Sequence, residues 1–131
     1  MTVLVDTSAL FALLDRRDAA HLVARDVFRS LEEREELVTH SYVLLEATAL
    51  VHRRLGADGV RALNKLLLAV EITIWVDEVR HAAGVAALLE ALPTPVSLVD
   101  FVSFNTMREL GLTTAFAFDA DFERAGFHTL P

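Results

Sequence analysis

The chain has 131 residues, 53% of them apolar and 24% charged, with no cysteine and a mean hydropathy of +0.41. That composition excludes a disordered chain, and it excludes disulfides, thiolate metal sites and cysteine nucleophiles together. Nineteen acidic against twelve basic side chains give a net charge of −7, which argues against a plain basic nucleic-acid binder or an anionic-membrane module.

The length fits one domain, residues 1–131, and no linker, repeat or low-complexity run divides it. Thr2-Val3-Leu4-Val5 is apolar, β-branched and stopped by Asp6, the signature of a buried strand. Val23, Ala24, Val27, Phe28 and Leu31 recur at helical spacing and predict an amphipathic helix over 18–34. A short strand at 37–39 follows. Residues 41–55 read as a helix ended by Gly56, 58–69 as a second helix and 71–76 as a strand. Asp77 caps a helix over 78–91, and Ser97 caps another that runs to Glu109 or Leu110 before Gly111. Residues 114–118 form an apolar strand that ends at Asp119; a short helix to about Arg124 and a strand at 127–129 complete the order. Strands alternating with helices imply an α/β fold with a central, mostly parallel sheet of about five strands between helical layers. Ligands in such folds gather beyond the carboxyl ends of the strands, where the winding reverses.

No apolar stretch approaches the roughly 18 residues that span a bilayer, and Asp6 interrupts the only early apolar segment, so the chain reads as soluble and cytoplasmic, with no membrane partner. The charge is uneven. Residues 1–65 carry nine basic and ten acidic groups, whereas 66–131 carry three and nine, and all the basic groups but Lys65 are arginines. The five histidines, at 21, 40, 52, 81 and 128, are too dispersed for a metal or triad site and read as surface or packing residues.

Four acids stand out. Val5-Asp6 and Phe118-Asp119 end two apolar strands alike, so neighbouring strands would bring both carboxylates to one sheet edge. Glu46 lies beside an apolar stripe of Tyr42, Leu45, Ala49 and Leu50, where a charge needs a partner or a cation. Asp100 occupies the first turn of its helix, with Ser103, Phe104 and Met107 on the same face. Each also has an ordinary reading: Asp6 and Asp119 as helix N-caps, Ser97 to Asp100 as a capping box, Glu46 paired with Arg53 or Arg54. Convergence of all four has a physical cost. Two carboxylates about 4 Å apart repel by roughly 4 kcal/mol at an effective dielectric near 20, and a divalent cation removes that penalty. Oxygen-only ligands favour Mg²⁺ or Mn²⁺ over zinc, and such ions in acidic sites commonly serve phosphodiester hydrolysis.

Val5-Asp6-Thr7-Ser8-Ala9-Leu10, the Glu46 helix, Ser97-Leu98-Val99-Asp100 with Ser103-Phe104, and the run from Phe118 through Asp119, Asp121 and Arg124 to Phe127 together resemble a PIN-domain ribonuclease, most of all the VapC-type toxins of prokaryotic toxin–antitoxin modules. The resemblance covers essentially the whole chain. It implies a three-layer α/β/α PIN-like fold, Mg²⁺- or Mn²⁺-dependent endonucleolytic cleavage of an RNA substrate, a homodimer, and a cognate antitoxin protein that blocks the site. Carried over by position, Asp6 and Asp100 become direct metal ligands, and Glu46 and Asp119 complete the acidic site directly or through water. Ser8 and Ser103 fall at recurrent hydroxyl positions suited to orienting water or a carboxylate. Asp121 stands where many relatives carry histidine and reads as a cap of the short helix.

Two rival enzyme classes fit less well. A haloacid-dehalogenase-type aspartyl phosphotransferase needs an Asp two residues after the first, where this chain has Ser8, and a receiver domain needs adjacent acids and a late lysine that are missing here. The non-enzymatic alternative is a catalytically weak PIN-like domain that binds RNA or a partner.

Overall fold

The computed structural model describes all 131 residues. Five strands, β1 (Thr2–Val5), β2 (Glu36–His40), β3 (Ile72–Ile74), β4 (Thr114–Phe116) and β5 (His128–Leu130), pair in parallel in the order β3-β2-β1-β4-β5. The helices are α1 (Thr7–Leu14), α2 (His21–Arg34), α3 (Ser41–Leu66), α4 (Glu78–Ala91), α5 (Leu98–Leu110) and α6 (Asp121–Arg124). The expected α/β architecture with a five-stranded sheet is present, and the sheet is parallel throughout.

Alternation along β1 explains the two helical layers. Val3 and Val5 pack with Leu37 and Phe116 against residues of α1, α2 and α3, while Leu4 faces the other way with Val38 and Ala115 onto Phe104, Met107 and Phe122 of α5 and α6. Both faces of the sheet are therefore dry, the condition under which strands read as unbroken apolar runs. Helix α4 packs outside on α5, where Gly84 makes the approach possible: a Cβ there would lie 2.6 Å from Val102 Cγ2.

Element ends differ from the sequence reading where side chains take over the hydrogen bonding. The helix expected from 18 starts at His21, because Asp18 accepts from the Ala20 N–H and forms a turn instead. The two helices expected over 41–55 and 58–69 abut at Gly56, whose φ of 73° breaks the helix path, and the second ends in a 3₁₀ turn at Leu67–Ala69. The strand expected over 71–76 is limited to Ile72–Ile74, since the Val76 N–H is taken by Ser41 Oγ at 2.8 Å. The strand expected over 114–118 stops at Phe116, because the Phe118 N–H leaves the ladder for Ser8 Oγ at 3.0 Å. Helix α1, which no periodic run in the sequence marked out, follows Asp6 directly.

The chain winds outward from β1 through β2 to β3, then returns to place β4 on the other side of β1. The reversal puts the switch point beyond the carboxyl ends of β1 and β4, where an open α/β sheet forms its ligand crevice. No helix is long and apolar enough to cross a membrane.

Candidate active site

A pocket of about 520 Å³ opens at this switch point. Asp6, Glu46, Asp100, Asp119 and Asp121 all line it, so five carboxylates from β1's end, α3, α5 and the β4–α6 region share one crevice. The four acids singled out from sequence do converge.

Asp6 serves two roles at once. One carboxylate oxygen, Oδ2, accepts from the Ser8 N–H at 3.1 Å and from the Ser8 hydroxyl at 2.6 Å, which caps α1. The other, Oδ1, is buried without a hydrogen-bond partner. The N-cap reading and the site reading are thus both satisfied, by different oxygens. With the side chain only 3% exposed, burial pushes its pKa up to about 6 against the pull of the Ser8 hydrogen bonds, and the nearby Glu46 charge adds to the rise.

Asp100 does not close a capping box. Ser97 Oγ accepts from the Asp100 N–H at 3.2 Å, but the Asp100 carboxylate makes no return bond and is left to the pocket. Burial pushes its pKa up to about 8, reinforced by the charges of Asp6, Asp119, Glu46 and Asp121. Asp100, Asp119 and Asp121 each place a carboxylate oxygen within 4.8 Å of the others, close enough for one ion to reach all three.

Asp121 corrects the sequence reading. The N-terminal N–H of α6 is capped by Asp119, whose Oδ1 accepts from Asp121 N at 2.9 Å, so Asp121 is not the cap. Its carboxylate instead lies in the acidic cluster and reaches Arg124 one turn on, at 2.8 Å. Glu46 has no arginine within ion-pair distance; the pairing with Arg53 or Arg54 that would have made it an ordinary surface charge is not formed.

The two serines part company. Ser8 faces the pocket, holding Asp6 on one side and the Phe118 backbone on the other. Ser103 lies outside it: fully buried, its hydroxyl donates to the Val99 carbonyl at 3.1 Å and pairs with His40 Nε2 at 2.7 Å. Its role is to satisfy a core histidine. His40 Nδ1 accepts from the Val43 N–H, which assigns the remaining ring proton to Nε2, and burial pushes the His40 pKa down to about 4. His40 is therefore the packing residue expected.

Two pocket residues were not among the expected site residues, although Arg53 was named as a possible partner of Glu46. Thr7 lies beside Asp6 with its hydroxyl buried and unpartnered, and Arg53 is the only cation in the lining. Arg53 follows Glu46 by seven residues, close to two helical turns, a spacing that puts both on one face and marks Arg53 as a pocket residue.

The chemistry of the donors fits a divalent cation. They are all oxygen, with no histidine or cysteine in the lining, and the buried Asp6 Oδ1 lacks any other partner.

A parallel sheet with five acids converging in its switch-point crevice defines an α/β domain with an acidic, oxygen-donor site, and the family model described as PIN domain matches residues 3–128; the chain belongs to the PIN-domain family. The chain is 31% identical, with 95% of each sequence covered, to a protein of Mycobacterium tuberculosis described as 23S rRNA-specific endonuclease VapC20. The crystal structure of M. tuberculosis VapC20, described as a sarcin-ricin loop cleaving toxin, superposes with a TM-score of 0.86 at 31% identity, covering 95% of both chains. VapBC2 of Rickettsia felis, bound to a promoter fragment, superposes with a TM-score of 0.73 at 15% identity over 98% of this chain and 97% of that one. VapBC of Salmonella typhimurium, bound to DNA, gives 0.70 at 17% over 98% and 96%. The last two share the fold. The expected VapC-type kinship is borne out.

Proposed function

We propose that this chain, acting as one domain over residues 1–131, is a Mg²⁺- or Mn²⁺-dependent endoribonuclease, the toxin of a type II toxin–antitoxin module. The observation that carries the reading is the gathering of five carboxylates at the β1/β4 switch point, two of them buried, one with an unpartnered oxygen. Five acids in one crevice repel one another, an arrangement suited to holding cations and destabilising without them.

Asp6, Asp100 and Asp119 would hold the ion; Asp121, with a carboxylate oxygen within 4.8 Å of those of Asp100 and Asp119, would join them. A bound divalent cation supplies an activated water and charge neutralisation at the phosphodiester. The protein's own part is positioning. Ser8 fixes the Asp6 rotamer and, through the Phe118 N–H, ties the loop that carries Asp119 to the start of α1. Glu46, on the pocket wall, is available to take a proton from the attacking water.

The relative's description as a 23S rRNA-specific endonuclease makes ribosomal RNA, and the sarcin-ricin loop in particular, the first substrate to examine. A cognate antitoxin and a homodimer complete the proposed assembly. An antitoxin arginine entering the pocket would satisfy the carboxylates in place of metal. The test is cleavage of RNA by the purified protein with Mg²⁺ or Mn²⁺. Activity lost in Asp6→Asn and Asp100→Asn supports the reading; metal-independent cleavage, or undiminished activity in both variants, overturns it.

A further inference from the structure

We propose that Arg53 binds a backbone phosphate of the RNA next to the one being cut, and so sets the register of the strand across the acidic crevice. The inference rests on the ribonuclease reading above.

Arg53 is the one basic residue among the pocket-lining side chains, yet it forms no ion pair or hydrogen bond with any of the five acids. Other arginines with acids in reach do pair: Arg61 with Asp58, Arg80 with Asp77 and Glu109, Arg124 with Asp121. Arg54, its neighbour, turns the other way and stacks over the Phe11 ring at 5.9 Å. Arg53 is left as an uncommitted planar donor at the rim of a strongly acidic pocket, which suits bidentate contact with a phosphate.

The helix fixes where that contact falls. Arg53 lies seven residues beyond Glu46 in the first segment of α3, on the same face and about 10 Å farther along the axis. With its backbone that far along α3, Arg53 is assigned a phosphate beside the one held over the acids. A polyanion crossing a −7 protein needs a cationic handle outside the metal cluster, and this is the cation that the crevice offers.

The test is steady-state cleavage of a labelled RNA hairpin carrying the sarcin-ricin loop sequence, alongside a random-sequence RNA pool, in Mg²⁺ at several salt concentrations. Arg53→Ala should raise KM about tenfold, with the loss residing in KM rather than kcat. The salt slope of log(1/KM) should shrink by about 0.7, the value for one phosphate contact on a single strand. Arg53→Lys should restore the slope but only part of the KM, because a point charge keeps the attraction and loses the fork. The magnesium concentration for half-activation and the melting temperature should match the parent. Arg29→Ala, on the exposed face of α2, serves as a charge control and should leave KM and slope alone. A parent that cuts RNA while Arg53→Ala keeps its KM and slope overturns the inference, as does a variant that chiefly changes the magnesium requirement. A parent that cuts neither RNA overturns the ribonuclease reading itself, and this inference with it.

Discussion

The Ser8 hydroxyl donates to Asp6 Oδ2 at 2.6 Å and accepts from the Phe118 N–H at 3.0 Å, so one small side chain joins the carboxylate after β1 to the backbone after β4. Removing it strands groups on both sides. Ser8→Ala should cost about 2 kcal/mol or more, the range for losing a hydrogen bond to a charged group and leaving a backbone donor unpaired. Urea denaturation in chelator measures the loss; a variant as stable as its parent would show that the Ser8 contacts are exchanged for water without cost. Magnesium affinity should also weaken, because Asp6 keeps only the backbone N–H of residue 8 to hold its carboxylate.

Asp100 feels the charges of four other acids, so its neutral replacement should relieve strain in the metal-free protein. Asp100→Asn is expected to melt about 3 °C or more above the parent in chelator, in line with a gain of about 1 kcal/mol. Asp6→Asn should be no less stable than the parent there, since asparagine also accepts the cap bond. In magnesium the order reverses, because the parent gains stability from binding and the variants gain little. Thermal scans in chelator and in Mg²⁺ check both halves.

Burial and like charge push the Asp100 pKa up to about 8, above its unfolded value of 3.8. The folded, metal-free protein therefore holds a proton there that the unfolded chain has released. Stability from this group is full below pH 3.8 and is lost as pH rises through about 8. His40, pushed down to about 4 by burial, works the other way: its contribution is present above 6.5 and lost as pH falls toward 4. Asp6, pushed up to about 6, titrates below this range, so the window from pH 7 to 8 isolates Asp100. Stability in chelator should decline across it in the parent and stay level in Asp100→Asn, measured by urea midpoints. Apparent magnesium affinity should rise over the same window, since binding expels the proton.

Ser103 offers a contrast with Ser8. Ser103→Ala leaves the buried His40 Nε2 proton without an acceptor and should destabilise by about 1–3 kcal/mol. The magnesium dependence of cleavage should be untouched, because the hydroxyl lies outside the pocket. Comparing denaturation with the metal titration of cleavage separates the two serines; a shifted metal requirement in Ser103→Ala would return it to the site.

The site was readable where chemistry contradicts local expectation. An acid at the end of a buried strand, as at Asp6, or beside an apolar stripe, as at Glu46, is conspicuous in one dimension. Residues whose role depends on a distant element were not. Ser103 shares a helix face with Asp100, and only the position of His40 on β2 shows that its hydroxyl looks into the core. Asp121 reads as a cap until Asp119 is seen to accept its N–H. The strand order was legible only as a class, since no residue in β4 states that it will lie beside β1. The ends of β3 and β4 were overextended because Ser41 and Ser8 claim N–H groups that an apolar run suggests belong to the ladder.

The return of the chain to β1 also orders events during synthesis. Asp6 and Glu46 leave the ribosome early, but β4, Asp119 and Asp121 follow Glu46 by more than sixty positions, and β1 lacks its neighbour on that side until they emerge. A nascent chain, or one truncated before Thr114, carries part of the acid set with no crevice to hold it. The order of the chain thus sets the order of assembly: the crevice can close only once β4 has paired with β1.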